Sequence, residues 1–272
     1  MISWFIQLSP PMQAFFATLF TWGITTLGAS LVFFFWTVNK SILDAMLGFA
    51  AGVMVAASFW SLLSPALSMA QMLSMTPWLV AAVGFLSGGL LLFFGDKLFH
   101  FLEARSDIQE REAPSRANSR KRCMMLFFSI TLHNIPEGLA IGVAFGSLAY
   151  GLEGATLSAA CMLALGIGLQ NFPEGTAMSV SLRREGYSRR RSFVLGTLSG
   201  IVEPLAGVLG AALVVYVQNF LPFLLSFAAG AMIYVVVQEL IPESQTNQKK
   251  NIMALFTLIG FVVMMVLDVA LG

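Results

Sequence analysis

The chain predicts an all-α integral membrane protein of eight transmembrane helices, with both termini on the extracytoplasmic side. Three observations carry that expectation. Hydrophobic residues make up 57% of the 272 and charged residues only 11%, against roughly a quarter charged in soluble domains. Eight apolar runs meet or approach the about 20 residues that a helix needs to cross a bilayer. All 15 Lys and Arg fall in alternate gaps between those runs. So little charge leaves no nucleic-acid module and no soluble domain, and residues 1–272 read as a single transmembrane domain.

The first run lies near 12–36 and follows Met1-Ile2-Ser3-Trp4, with no basic residue ahead of it and no small-residue cleavage pattern. It reads as a retained helix rather than a signal peptide. Lys40 separates it from the second run, near 43–64, and the third lies near 78–100. Lys97, Arg105, Arg111, Arg116, Arg120, Lys121 and Arg122 flank or fill the next gap, whose polar stretch 103–122 is mixed in charge and interrupted by Pro114. Such a composition predicts a mobile cytoplasmic loop. The fourth and fifth runs, near 123–147 and 153–182, share a short connection and so are antiparallel neighbours. Arg183, Arg184, Arg189, Arg190 and Arg191 precede the sixth, near 192–217. Lys249 and Lys250 stand between the seventh, near 221–243, and the eighth, near 251–271. Basic residues collect on the cytoplasmic face, which fixes the orientation. Cys123 and Cys161 are not placed for a disulfide, and Asp44 and Asp268, near helix ends, read as capping or water-reaching groups.

Within these runs two hexapeptides nearly repeat: His133-Asn134-Ile135-Pro136-Glu137-Gly138 and Gln170-Asn171-Phe172-Pro173-Glu174-Gly175. A carboxylate at the bilayer centre costs roughly 2.5–3.5 kcal/mol on insertion scales, so two of them call for a compensating cation. Residues three and four apart share a helix face, which joins His133 to Glu137 and Gln170 to Glu174. Imidazole, amide oxygen and two carboxylates form a nitrogen-and-oxygen set suited to a divalent transition metal such as zinc. Pro136 and Pro173 each remove a backbone donor, predicting kinks with free carbonyls at Leu132 and Leu169. Gly138 and Gly175 predict close helix approach. A third carboxylate, Glu203, precedes Pro204 in the sixth run and would open a second metal position beside the first. Asp96, His100, Glu239 and Glu243 gather at the inner ends of the third and seventh runs, either as an exit site or as solvated edge charges.

These residues resemble the ZIP (Zrt/Irt-like) family of metal transporters, most closely its GufA-like branch. The resemblance continues through Phe49-Ala50-Ala51-Gly52-Val53-Met54, Val202-Glu203-Pro204-Leu205-Ala206-Gly207, Phe227-Ala228-Ala229-Gly230-Ala231-Met232 and Gly260-Phe261-Val262-Val263-Met264-Met265. It implies a ZIP-like bundle that takes up divalent metal, typically zinc, with cadmium, iron and manganese as other candidates. It implies a first metal held by His133, Glu137, Gln170 and Glu174, and a second by Asn134, Glu137, Asn171, Glu174 and Glu203. It further implies a homodimer in the lipid bilayer of the cell membrane, with helices one, four, five and six sliding as an elevator against two, three, seven and eight. Two other readings stand beside it. One is an intramembrane zinc enzyme, although no His-Glu-x-x-His occurs. The other is a proton-coupled transporter of a non-metal solute using Glu137 and Glu174.

Overall fold

The computed structural model describes residues 2–34, 39–106, 114–150, 155–216, 218–246 and 250–271, and every described element is helical. After a short helix, Ile2–Ile6, the chain forms α1 (Pro10–Phe33), α2 (Lys40–Met72), α3 (Pro77–Ser106), α4 (Pro114–Ser147), α5 (Leu157–Arg184), α6 (Arg189–Ser199 continued by Val202–Tyr216), α7 (Leu221–Ser244) and α8 (Lys250–Leu271). Among the described residues six of these, α1, α2, α3, α6, α7 and α8, are long and apolar enough to cross a membrane. The two that carry the repeated hexapeptide, α4 and α5, are helical over 34 and 28 residues.

The ends follow local chemistry. Pro10 and Pro11 open α1, where a missing N–H costs nothing. Asn39 Oδ1 accepts from Ser41 N at 2.9 Å, Thr156 Oγ1 from Ala159 N at 3.0 Å and Ser188 Oγ from Arg191 N at 3.3 Å, capping α2, α5 and α6. Gly186, at φ 92°, makes the turn between α5 and α6 in a backbone region that glycine tolerates best.

Three expectations are corrected. The stretch 103–122 is not one loop: α3 runs on to Ser106, and Pro114 begins α4 rather than interrupting the chain. Proline is compatible with a first helical turn, and the Arg, Lys and Ala that follow are good helix formers. Residues 107–113, the rest of the expected loop, lie outside the described residues. Secondly, α6 is interrupted at Gly200 and Ile201, between its two helical pieces. Lastly, Asp44 is buried rather than water-reaching, at 1% exposure.

The helices pack in two groups. In one, α1 lies against α5, α6 and α4, and α4 lies along α6. In the other, α2 lies along α8 and α3 along α7. Glycine makes both close. A β-carbon on Gly28 or Gly175 would collide with the carbonyls of Phe172 and Thr25, and one on Gly142 with that of Gly207. Gly52 and Gly260 join α2 to α8, and Gly88 and Gly230 join α3 to α7, in the same backbone-to-backbone manner. The groups meet through α2 with α5 and α7 with α4.

Candidate metal site

The site sits where α4, α5 and α6 converge with α1. Gln170 projects from α5 and donates its amide to Glu137 Oε1 on α4 at 2.6 Å. One residue on, Asn171 donates to both oxygens of Glu203 on α6, at 3.0 Å each. Asn134, one turn before Glu137, donates to the Ser199 carbonyl at 2.8 Å, next to the interruption in α6. Gly138 explains the proximity, because a β-carbon there would strike the Glu203 backbone. The repeated hexapeptides therefore face each other and Glu203, as helical spacing predicts.

Burial makes this arrangement costly. Asn134, Glu137, Gln170, Asn171 and Glu203 are no more than 1% exposed, and Glu174 is 7% exposed. Glu174 and Glu203 are within electrostatic reach of Glu137. Four side-chain oxygens here accept nothing: Glu137 Oε2, Gln170 Oε1, Asn171 Oδ1 and Glu174 Oε1. Each such buried acceptor costs about 1–3 kcal/mol. Each amide nitrogen of Asn134, Gln170 and Asn171 has an acceptor, in Glu137, Glu203 or a backbone carbonyl, so the unpartnered side-chain atoms of the cluster are all oxygens. A cation would supply what they lack. Two of the four are carboxylate and two are amide oxygens, a hard and borderline donor set.

Other assigned residues are distributed differently. The side chains of His133, Asp96 and His100 lie outside the described residues, although the backbones run in α4 and α3. Among the described residues no group of three or more His, Cys, Asp and Glu side chains is gathered tightly enough to hold a metal ion alone. Glu239 is half-buried and within electrostatic reach of Glu174, whereas Glu243 is exposed. Cys161 is a free, half-buried thiol.

Sequence reasoning missed the contribution of α1. Thr21 Oγ1 donates to Glu203 Oε2 at 2.5 Å and Thr25 Oγ1 to Glu203 Oε1 at 3.5 Å. The signal was available: Thr18, Thr21 and Thr25 follow three- and four-residue spacing on one face of α1, and all three are buried. A second polar pair lies elsewhere, between α2 and α8, where Ser61 Oγ stands 2.7 Å from both oxygens of Asp268. It borders a cavity of about 340 Å³ reached also by Ser147 and Thr156.

Comparison with known proteins decides the lineage. Residues 103–268 match the family model described as ZIP zinc transporter. The chain belongs to the ZIP family. It is 40% identical to zinc transporter ZIP11 of Homo sapiens, with 97% of this chain and 98% of that one covered. It is 36% identical to zinc transporter ZIPB of Bordetella bronchiseptica over 91% of this chain and 78% of that one. Zinc transporter GufA of Myxococcus xanthus is 37% identical over 70% and 71% of the two. This ZIP chain is therefore an integral membrane protein of a transporter family, and the intramembrane enzyme is set aside.

Proposed function

We propose that this protein carries divalent metal, zinc first among the candidates, across the membrane into the cytoplasm through the buried site on α4, α5 and α6. The observation that carries the reading is the cluster of unpartnered acceptors: Glu137 Oε2, Gln170 Oε1, Asn171 Oδ1 and Glu174 Oε1. Relatives named as zinc transporters support zinc as the substrate. A set of carboxylate and amide oxygens with a single histidine alongside is suited to a passing ion, since thiolate cages hold zinc as structural sites do. His133 completes the first position with Glu137, Gln170 and Glu174. Asn134, Asn171 and Glu203 extend it to a second, bridged by Glu137 and Glu174. Asp96, His100, Glu239 and Glu243 would receive the ion at the cytoplasmic end.

All of α1 to α8 cross the bilayer in this reading, with both termini outside, because every basic residue then lies on the cytoplasmic face. Movement follows an elevator, α1, α4, α5 and α6 sliding against α2, α3, α7 and α8 within a homodimer in the cell membrane. The glycine contacts support it. Backbone meets backbone within each group, whereas Gly166 of α5 faces α8 only through the flexible Met264 side chain. Cadmium, iron and manganese are further substrates to test.

The test is zinc uptake into proteoliposomes by the native chain and by a Glu137→Ala, Glu174→Ala variant. Saturable uptake lost in the variant, with its helical content and thermal transition retained, supports the reading. Equal uptake by both would overturn it.

A further inference from the structure

An apolar groove of about 750 Å³ opens between α2, α5 and α8. Ala45 and Phe49 wall it from α2, Ile252 and Phe256 from α8, and Leu169 and Phe172 from α5. Several of these are open to the surroundings: Leu169 is 39% exposed, Ile252 46% and Phe256 37%. The walls on α2 and α8 belong to the first three turns of those helices, which begin at Lys40 and Lys250. The two helices run parallel, since Gly48 of α2 lies against Met253 of α8 and Gly52 against Thr257. Both lysines therefore stand at the same end of the groove. Both are exposed.

We propose that this groove holds one acyl chain of an anionic phospholipid whose phosphate is gripped by Lys40 and Lys250. An apolar groove at bilayer depth gains little selectivity from its walls, because lipid tails are as apolar as leucine. Selectivity must come from the headgroup, and paired lysines at the cytoplasmic edge are suited to anionic lipid. Length agrees as well. The groove runs from Ser41 at the lysine end to Ile259, which at about 1.5 Å per residue is a good part of one leaflet. Three of its lining residues, Leu169, Phe172 and Pro173, flank Gln170, Asn171 and Glu174 on α5. The chain thus wedges between the metal-bearing helix and its neighbours α2 and α8. This site rests on the proposed orientation, with Lys40 and Lys250 inside, but not on the identity of the transported ion.

The experiment is native mass spectrometry of the protein released from nanodiscs holding equal phosphatidylcholine and phosphatidylglycerol. The native chain should retain phosphatidylglycerol over phosphatidylcholine. Each of Lys40→Gln and Lys250→Gln should reduce that preference by roughly fivefold, and Lys40→Arg with Lys250→Arg should keep it. Ala45→Phe, which fills the groove, should lower retention of both lipids. Arg190→Gln with Arg191→Gln, on the same cytoplasmic face but at the start of α6 away from the groove, should change nothing. Retention that follows the arginines instead of the lysines overturns the proposal. So does disulfide crosslinking of an Ile252→Cys variant to a second copy, which would give the groove to a protein neighbour. Neither readout depends on zinc transport.

Discussion

Gln170 and Glu137 are joined across the α4–α5 interface by one 2.6 Å hydrogen bond, and the bond leaves each with an oxygen that accepts nothing. The amide nitrogen orients the carboxylate, and the amide oxygen stands beside it as a second donor of electrons. Gln170→His should replace that weak oxygen with an imidazole, a better zinc ligand. Zinc should bind on the order of tenfold tighter, and release, hence maximal uptake rate, should slow. Equilibrium zinc titration beside initial uptake rates checks both. A variant unchanged in both would remove Gln170 from the ligand set.

Glu203 is held by donors from two other helices, Thr21 of α1 and Asn171 of α5. Thr21→Val takes away the shorter bond while keeping the side chain's shape. Supporting bonds of this kind are worth about 10- to 100-fold in metal affinity, and that is the loss expected in a zinc titration. Thr18→Val is the comparison, because Thr18 donates only to carbonyls of its own helix. It should leave zinc affinity as it was.

Most of the site was legible in the sequence because its logic is local. Two hexapeptides inside apolar runs place amide and carboxylate on one helix face, and no knowledge of the neighbours is needed to see that. What was illegible depends on neighbours. The threonine face of α1 acquires meaning only once α1 is known to lie against α5 and α6. Pro136 and Pro173 lie inside helices that continue past them, which the sequence indicated only as places where a backbone donor is missing. Pro114 looked like an interruption and is a beginning, a difference that composition alone does not register.

Glycine positions divide sharply by what a β-carbon would meet. Gly142→Val drives side-chain atoms into the Gly207 backbone and should force α4 and α6 apart. Overpacking of this kind costs roughly 1–3 kcal/mol, to be read as a lowered thermal transition in detergent. Gly23 has nothing within 4 Å of that position, so Gly23→Ala should be neutral or raise stability by up to about 1 kcal/mol through helix propensity. Equal effects at the two sites would contradict the packing described.

Orientation has its own test. With Cys123 and Cys161 replaced by serine, single cysteines at Ser74 and at Ser188, both exposed turn or cap positions, report the two faces. In sealed right-side-out vesicles an impermeant maleimide should label Ser74→Cys and spare Ser188→Cys until the membrane is opened. Labelling of both, or the reverse order, would require a different threading.

Among the described residues three helices end in or contain a π-helical stretch: Ser58–Leu63 in α2, Val236–Leu240 in α7 and Leu267–Leu271 in α8. A π turn carries one residue more than an α turn, and one residue is about 100° of rotation around the axis. Each stretch therefore acts as a phase shifter, letting one continuous rod show different faces to different companions along its length. Below the shift, α2 turns Gly48 and Gly52 toward α8; within it, Ser61 is brought to Asp268 in the corresponding stretch of α8. All three lie in the same group of helices, α2, α7 and α8. Deleting a single residue from the stretch in α2 or in α7 would leave the helix unbroken and rotate everything beyond it out of register.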